Sequence, residues 1–493
     1  MRKLKPTVLA AGVAIAMVSA ACSKPAGTLE AAEETLGAAN VKSIEYSGTG
    51  KWFQFGQAPN PTLPWPPFDV SSFKAAINYE TPSARVDMVR KQTLEPPRVR
   101  PVPAEARPTQ VVSGTYAWNL AAPAGAAPGT APVAQAQPAA VEERTMEIWV
   151  TPQGFLKAAR ANTATSEPAN GGSTVSFAAA GKKYVGTINA QSQVEKVQTW
   201  MDTPVLGDTL VETVYSDYKA FGGVMFPAHI VRTQGGHPVL DITISEVKLN
   251  PAVDLPVPDQ VKTFTPPPVQ VTVQKLAEGV YYMTGANAHT VAIDQSDHIV
   301  AVEGPANEAR SEAVIAKIKE TIPNKPIRYV VNSHVHFDHS GGLRTYVDEG
   351  ATVVTHQMNQ PYFETAWAAP RTINPDRLAR SKKTARFETV TDKHVLADST
   401  RNVEIHSIAG SGHNDGFLMI YLPKEKILIE GDAFTPGAAD APPPAVPNPY
   451  TVNLYENIQR LKLDVRQIAA LHGPRVTTMA DLRAAIGVKA ETN

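Results

Sequence analysis

Ten consecutive residues, Ser333-His334-Val335-His336-Phe337-Asp338-His339-Ser340-Gly341-Gly342, restrict what this chain can fold into more than any other stretch of its 493 residues. They follow directly on Ile327 to Val331, a β-branched run that predicts a strand. In an extended segment, side chains two residues apart point the same way, so His334 and His336 can share one metal ion. Asp338 and His339 come where the chain turns towards a helix, and they face a second metal nearby. Gly341 and Gly342 let the backbone pass close to the site with no Cβ in the way. In a chain with 12 histidines, an H-x-H-x-D-H pattern arises by chance less than about one time in a thousand.

The surrounding sequence predicts a two-sheet sandwich with helices outside it. Strands are expected at Val280 to Met283, Thr290 to Ile293, Ile299 to Val302, Ala351 to Thr355, Val403 to Ile408, Phe417 to Leu422 and Lys426 to Ile429. A helix is expected over Glu308 to Ile322, with Val314, Ile318 and Ile322 on one face. Pro266-Pro267-Pro268 stiffens a linker, 266–272, that separates this part (273–493) from an N-terminal part (23–265).

In that N-terminal part, Ser43 to Asn250 alternates as half-buried antiparallel strands do. Met146, Ile148 and Val150 form one expected strand, and Leu240, Ile242 and Ile244 another. A short helix is expected around Leu29 to Leu36. The Ala/Pro/Gly tract over 121–140 reads as a flexible surface insertion, and Arg98 to Pro108 is similarly Pro-rich. This half is similar in pattern to the curved, one-sided β-sheet of periplasmic lipoprotein-carrier domains.

Hydrophobic residues make up 43% and charged residues 19% of the chain, and the formal net charge is −1. That composition supplies ample core for two domains but no basic face for nucleic acid. Residues 1–22 read as an export signal: Arg2, Lys3 and Lys5, then an apolar run from Val8 to Val18, then Ser19-Ala20-Ala21. Cys22 is the only cysteine. It stands where a lipoprotein carries its acyl group, although Ser19 occupies a place where an aliphatic residue is usual. The expectation is a periplasmic protein anchored to the outer membrane through lipidated Cys22, with simple secretion as the alternative.

With its motif in this order, the part from Val273 to Ile486 resembles the metallo-β-lactamase superfamily. Gly410-Ser411-Gly412-His413-Asn414-Asp415-Gly416 resembles the segment with the next histidine ligand. Gly431-Asp432 resembles the bridging aspartate, and Leu471-His472-Gly473-Pro474 the last ligand, with Leu471 where glycine is more usual. The resemblance implies an α/β chain in which an αββα sandwich follows a mostly antiparallel β domain. It implies His334, His336 and His413 on one metal, Asp338, His339 and His472 on the other, and Asp432 bridging both. Such ligands suit two Zn2+, or another divalent metal, with positions open to water.

The expected activity is hydrolysis of an ester, lactone, amide or thioester bond in a small molecule. Asp338 would orient the attacking water and pass a proton on. Asn332 and Ser333 would hold the ligand rings. β-Lactamases of this superfamily that begin with H-x-H-x-D-H typically lack an aspartate at the bridging place, so Asp432 favours an esterase or lactonase over a β-lactamase proper. Two other readings stand beside these: a mononuclear-iron dioxygenase on the same fold, and a non-catalytic protein binding a lipophilic ligand in its N-terminal sheet. The Pro-rich loop from Phe434 to Tyr450 is expected to line the substrate groove, with Tyr450 touching substrate. His229, His237, His289, His298, His356, His394 and His406 are read as packing or surface residues.

Overall fold

The computed structural model describes residues 25–123, 126 and 129–488. The expected export signal and Cys22 lie outside the described residues. No described helix is long and apolar enough to cross a membrane.

Alternating burial gives the N-terminal domain one large antiparallel sheet, with fourteen strands among the described residues. Its first and last strands, Ser43–Phe53 and His237–Leu249, pair in the middle of the sheet, with Ile44 opposite Leu249 and Trp52 opposite Leu240. One face buries Ile44, Phe73, Ile77, Val197, Val211 and Ile242 against three helices, Leu29–Thr35, Val141–Trp149 and Pro152–Ala161.

Two expectations fail here. Met146, Ile148 and Val150 do not form a strand: Val141–Trp149 is a helix, and Thr151 caps the next one by accepting from Gly154 N. The helix packs on the sheet and on its neighbour helix. Burial on more than one side leaves an apparent period of two, and tertiary packing overrides the β-like pattern. Arg144, also buried, donates to the carbonyls of Val111 and Trp118 and locks the helix to the sheet. The 121–140 tract is not wholly an insertion either, because Val133–Ala136 pairs with Tyr116–Ala121, with Trp118 opposite Ala136.

The C-terminal part is the expected αββα sandwich. A seven-stranded sheet from Thr272 to Val390 faces a six-stranded sheet from Lys393 to Thr478. Ile299–Val302 and Leu418–Leu422 are buried at every residue, as strands covered on both sides must be. Val300, Val302, Val331 and Val354 meet Ile405, Leu418, Ile420 and Ile429 between the sheets. Helices Glu308–Thr321 and Leu343–Glu349 cover one outer face through Val314, Ile318, Leu343 and Val347. Pro449–Arg460 and Met479–Ala485 cover the other through Leu454, Ile458 and Leu482. Four strand ends open at one edge of this sandwich: Val331, Ser407, Glu430 and Ala470. Each is followed by one of the motif segments.

Candidate metal centre

The seven residues singled out by the motifs converge. His334, His336, His413 and Asp432 form one group of donor atoms within 4.8 Å of one another, and Asp338, His339, Asp432 and His472 form a second. Asp432 belongs to both through different oxygens. Its Oδ2 lies 3.0 Å from His413 Nε2 and 3.5 Å from His334 Nε2. Its Oδ1 lies 3.0 Å from His472 Nε2 and 3.2 Å from His339 Nε2.

Local structure explains the presentation. Phe337–Ser340 is a single helical turn, which swings Asp338 and His339 away from the extended His334–His336 segment. A Cβ at Gly341 would fall 1.9 Å from the carbonyl of Ala306, so the close approach there needs glycine. Leu471 causes no distortion: its side chain is buried between the sheets, its N–H donates to Glu430 O at 2.8 Å, and Gly473 takes the positive φ of 103°.

The rings are oriented from behind. His334 Nδ1 lies 2.9 Å from Ser333 Oγ, which in turn donates to Glu303. His339 Nδ1 donates to Glu303 Oε2 at 2.9 Å, and His472 Nδ1 to Asn287 O at 2.7 Å. His336 Nε2 donates to Ala58 O at 3.0 Å, which leaves its Nδ1 buried without a partner. Asn332 donates to Glu303 Oε1 and to His334 O. Ser333 thus backs the His334 ring as expected, whereas Asn332 acts through Glu303 and the His334 carbonyl rather than on a ring.

These donors fit a metal better than they fit one another. His334 Nε2 and His413 Nε2 face each other at 3.2 Å, and His339 Nε2 and His472 Nε2 at 2.9 Å. Donors around a tetrahedral zinc with bonds of about 2.0–2.1 Å stand about 3.3 Å apart. Burial, with the neighbouring His339, drives His334 down to about 3, so its ring is a neutral acceptor. Burial and the nearby rings also hold His336 well below the usual range. His472 moves the other way, up to about 10: burial opposes the charge, but Asp338 and Asp432 outweigh it. Asp432, although buried, is held well below the carboxylate range by His339, His334 and His413.

Three residues of the centre carried no signal in the sequence. Glu303 is buried at 0% exposure and holds a left-handed φ of 83° at the end of its strand. Glu430, also fully buried, accepts from Ala433 N and Phe434 N at 3.0 and 3.1 Å and so shapes the turn carrying Asp432. Gln57, from the other domain, donates to Asp338 Oδ1 at 2.8 Å. A lone acid or amide has no spacing that marks it.

Tyr450 opens the helix Pro449–Arg460, and its ring lies edge-on to His413 at 5.2 Å. Arg98 to Pro108 is part of the wall rather than a loose insertion. Arg98 pairs with Asp415 at 2.8 Å, and a Cβ at Gly412 would strike Val99 O at 1.9 Å. The seven remaining histidines stay outside both donor groups. His289 packs on Tyr282 and donates to Gly473 O at 2.8 Å.

The sequence profile of the Metallo-beta-lactamase superfamily matches residues 305–472, an interval that holds all seven converging donors. With this sandwich, that match gives the C-terminal domain the metallo-β-lactamase fold. The 2,4-dinitroanisole O-demethylase subunit alpha of Nocardioides sp. (strain JS1661) is 22% identical over 180 residues, 36% of this chain and 48% of that protein. The chain thus spans about half the length of the curated relative it matches. Among solved structures, a metallo-beta-lactamase from Pontibacter korlensis is 18% identical, covering 44% of this chain and 98% of its own, with a TM-score of 0.34. The FIM-1 enzyme from Pseudomonas aeruginosa in its mono-zinc form is 18% identical, covering 45% and 96%, also with a TM-score of 0.34.

Proposed function

We propose that this protein is a zinc-dependent hydrolase that holds two ions and cleaves an ester, lactone, amide or thioester bond in a small molecule. The observation that carries the reading is Asp432, whose two oxygens each face a different pair of imidazoles. Bound there, zinc would supply Lewis acidity and a water acidic enough to ionise near neutral pH. The protein's own groups do the rest. Asp338 is the carboxylate open to solvent, its side chain 42% exposed against 15% for Asp432. His472 and His339 overcome the effect of burial and keep it ionised, so it can accept a hydrogen bond from the attacking water and orient it. Tyr450 flanks His413 at the mouth and offers an aromatic edge to substrate.

Elemental analysis of the protein beginning at Ser23 tests this. Two zinc per chain, falling in His336→Ala and Asp432→Ala, supports it and justifies a panel of esters, lactones, thioesters and β-lactams. The O-demethylase name of the distant relative adds an aryl methyl ether to that panel. A single iron would move the reading to oxidation chemistry, and no metal under zinc-replete conditions would end it.

Export and lipid anchoring remain part of the proposal. They rest on residues 1–22, and palmitate labelling that survives Cys22→Ser would remove the anchor. The reading of the N-terminal sheet as a carrier of a lipophilic ligand has an observation in its favour. A cavity of about 280 Å³ lies in that domain, lined by Tyr46, Trp52, Phe55, Phe73, Met88 and Ile242 among others. Organic extraction of the purified full chain, followed by mass spectrometry, checks it.

A further inference from the structure

The loop from Gln54 to Pro66 joins the first two strands of the N-terminal sheet, yet its tip enters the metal centre of the other domain. Phe55 and Trp65 anchor it, standing edge-on to each other at 5.1 Å and to Phe337 at 5.3 and 5.7 Å. Phe337 lies between two donors, His336 and Asp338. Phe337 N donates to Gly56 O at 3.1 Å, and Asp415 N to Pro59 O at 2.8 Å. Asn414 Nδ2 donates to Ala58 O at 3.2 Å, and Asn60 Nδ2 to Asp415 at 2.7 Å. A single loop therefore grips both the 334–339 segment and the 413–415 segment.

Two contacts reach the donors themselves. Ala58 O accepts from His336 Nε2 at 3.0 Å, while the buried Nδ1 on the far side of the ring has no partner. Gln57 Nε2 donates to Asp338 Oδ1 at 2.8 Å, and Oδ2 is left facing His339 Nε2 and His472 Nε2 at 3.5 and 3.4 Å. Among the described residues, no group of the C-terminal domain makes either bond.

We propose that this loop is a positioning element of the metal centre, supplied by the N-terminal domain. The Ala58 carbonyl holds His336 in the tautomer that leaves Nδ1 free for the metal, and Gln57 commits Oδ1 of Asp338 to the protein and Oδ2 to the metal. A partner behind a ligand sets both its orientation and its donor strength. A neutral amide does this for Asp338 without changing the charge of the site, whereas a carboxylate at position 57 would repel it. The inference rests on the two-metal reading above, and it makes the N-terminal domain part of the hydrolytic machinery.

The test uses the full chain with zinc and a competing chelator, comparing wild type, Gln57→Ala, Gln57→Glu and Gly56→Ala. Gln57→Ala should weaken one of two zinc-binding steps by about 10–100-fold, the usual loss when such a partner is removed, and Gln57→Glu should weaken it further. Gly56→Ala should weaken both steps, because its φ is +78° and a Cβ there would lie 2.7 Å from the Phe337 ring. A readout that needs no variant accompanies these: long-range 1H–15N spectra of the zinc-loaded wild type should show His336 protonated on Nε2. If wild type takes up two zinc but the Gln57 variants titrate like it, or His336 carries its proton on Nδ1, the positioning role is wrong and the hydrolase reading survives. If wild type takes up no zinc, both fall together.

Discussion

His339 donates from Nδ1 to Glu303 at 2.9 Å, and both side chains are fully buried. This bond fixes the tautomer of His339 and turns its Nε2 towards Asp432. Glu303 also accepts from Ser333 and Asn332, so one carboxylate, set in a left-handed backbone conformation, organises two residues of the motif and the asparagine before it. Backbone strain of this kind persists only where its surroundings hold it in place. Glu303→Gln replaces an acceptor oxygen with an amide that faces donors. Zinc affinity, measured by chelator competition, should fall about 10–100-fold, with the melting temperature of the loaded protein falling alongside it.

Metal uptake should release protons. In the metal-free site, His472 is pushed up to about 10, and His339 well above its ordinary value as Asp432 and Glu303 outweigh burial. A metal accepts only the neutral ring, and both shifts favour the protonated one, so metal binding should displace protons. Affinity should therefore rise with pH through the neutral range. Titration calorimetry in buffers of different ionisation enthalpy reads the number directly, and a value near zero would mean that the two rings are already neutral.

Glu430 concerns stability. Burial, with Asp432 nearby, pushes its carboxyl well above the usual range, and its Oε2 accepts two backbone N–H groups of the turn. Glu430→Ala strands those donors and should cost about 1–3 kcal/mol in urea unfolding. Glu430→Gln keeps an acceptor oxygen and should cost well under half of that. Equal losses in the two variants would show that the turn depends on something other than these bonds.

Tyr450 separates a ring from a hydroxyl. Its edge-on contact with His413 involves the ring. Tyr450→Phe should keep kinetics on the true substrate near wild type, and Tyr450→Ala should raise KM about tenfold, a loss of about 1.4 kcal/mol. Unchanged kinetics in Tyr450→Ala would take the residue out of the substrate groove.

The C-terminal sandwich was legible because its signals are local. Ile299–Val302 and Ile327–Val331 came out with the expected bounds, and the helix expected to end at Ile322 ends at Thr321. Ile299–Val302, covered on both faces, writes a continuous apolar run, and Ile327–Val331 is marked by its β-branched residues although Arg328 is exposed. The N-terminal domain was harder to read. Met146 and Ile148 alternate with polar neighbours in strand and helix alike, and only the second helix packed beside them decides between the two. The 121–140 tract looked featureless because Val133–Ala136 is held by its partner strand rather than by its own composition.

The amino-acid sequence by itself determined which metal-binding side chains come together. Histidine and aspartate at spacings of two, followed by three separated motif segments, mark the candidates through side-chain identity alone, and all seven residues meet in the folded chain. What the sequence could not decide is how those donors are held. Glu303, Gln57 and the Ala58 carbonyl act through hydrogen bonds that link distant parts of the chain, 281 positions apart for Gln57 and Asp338 and 278 for Ala58 and His336. A hydrogen bond depends on the position of two atoms in space and leaves no periodicity behind. Only the packing of one domain against the other brings the 54–66 loop to the metal centre.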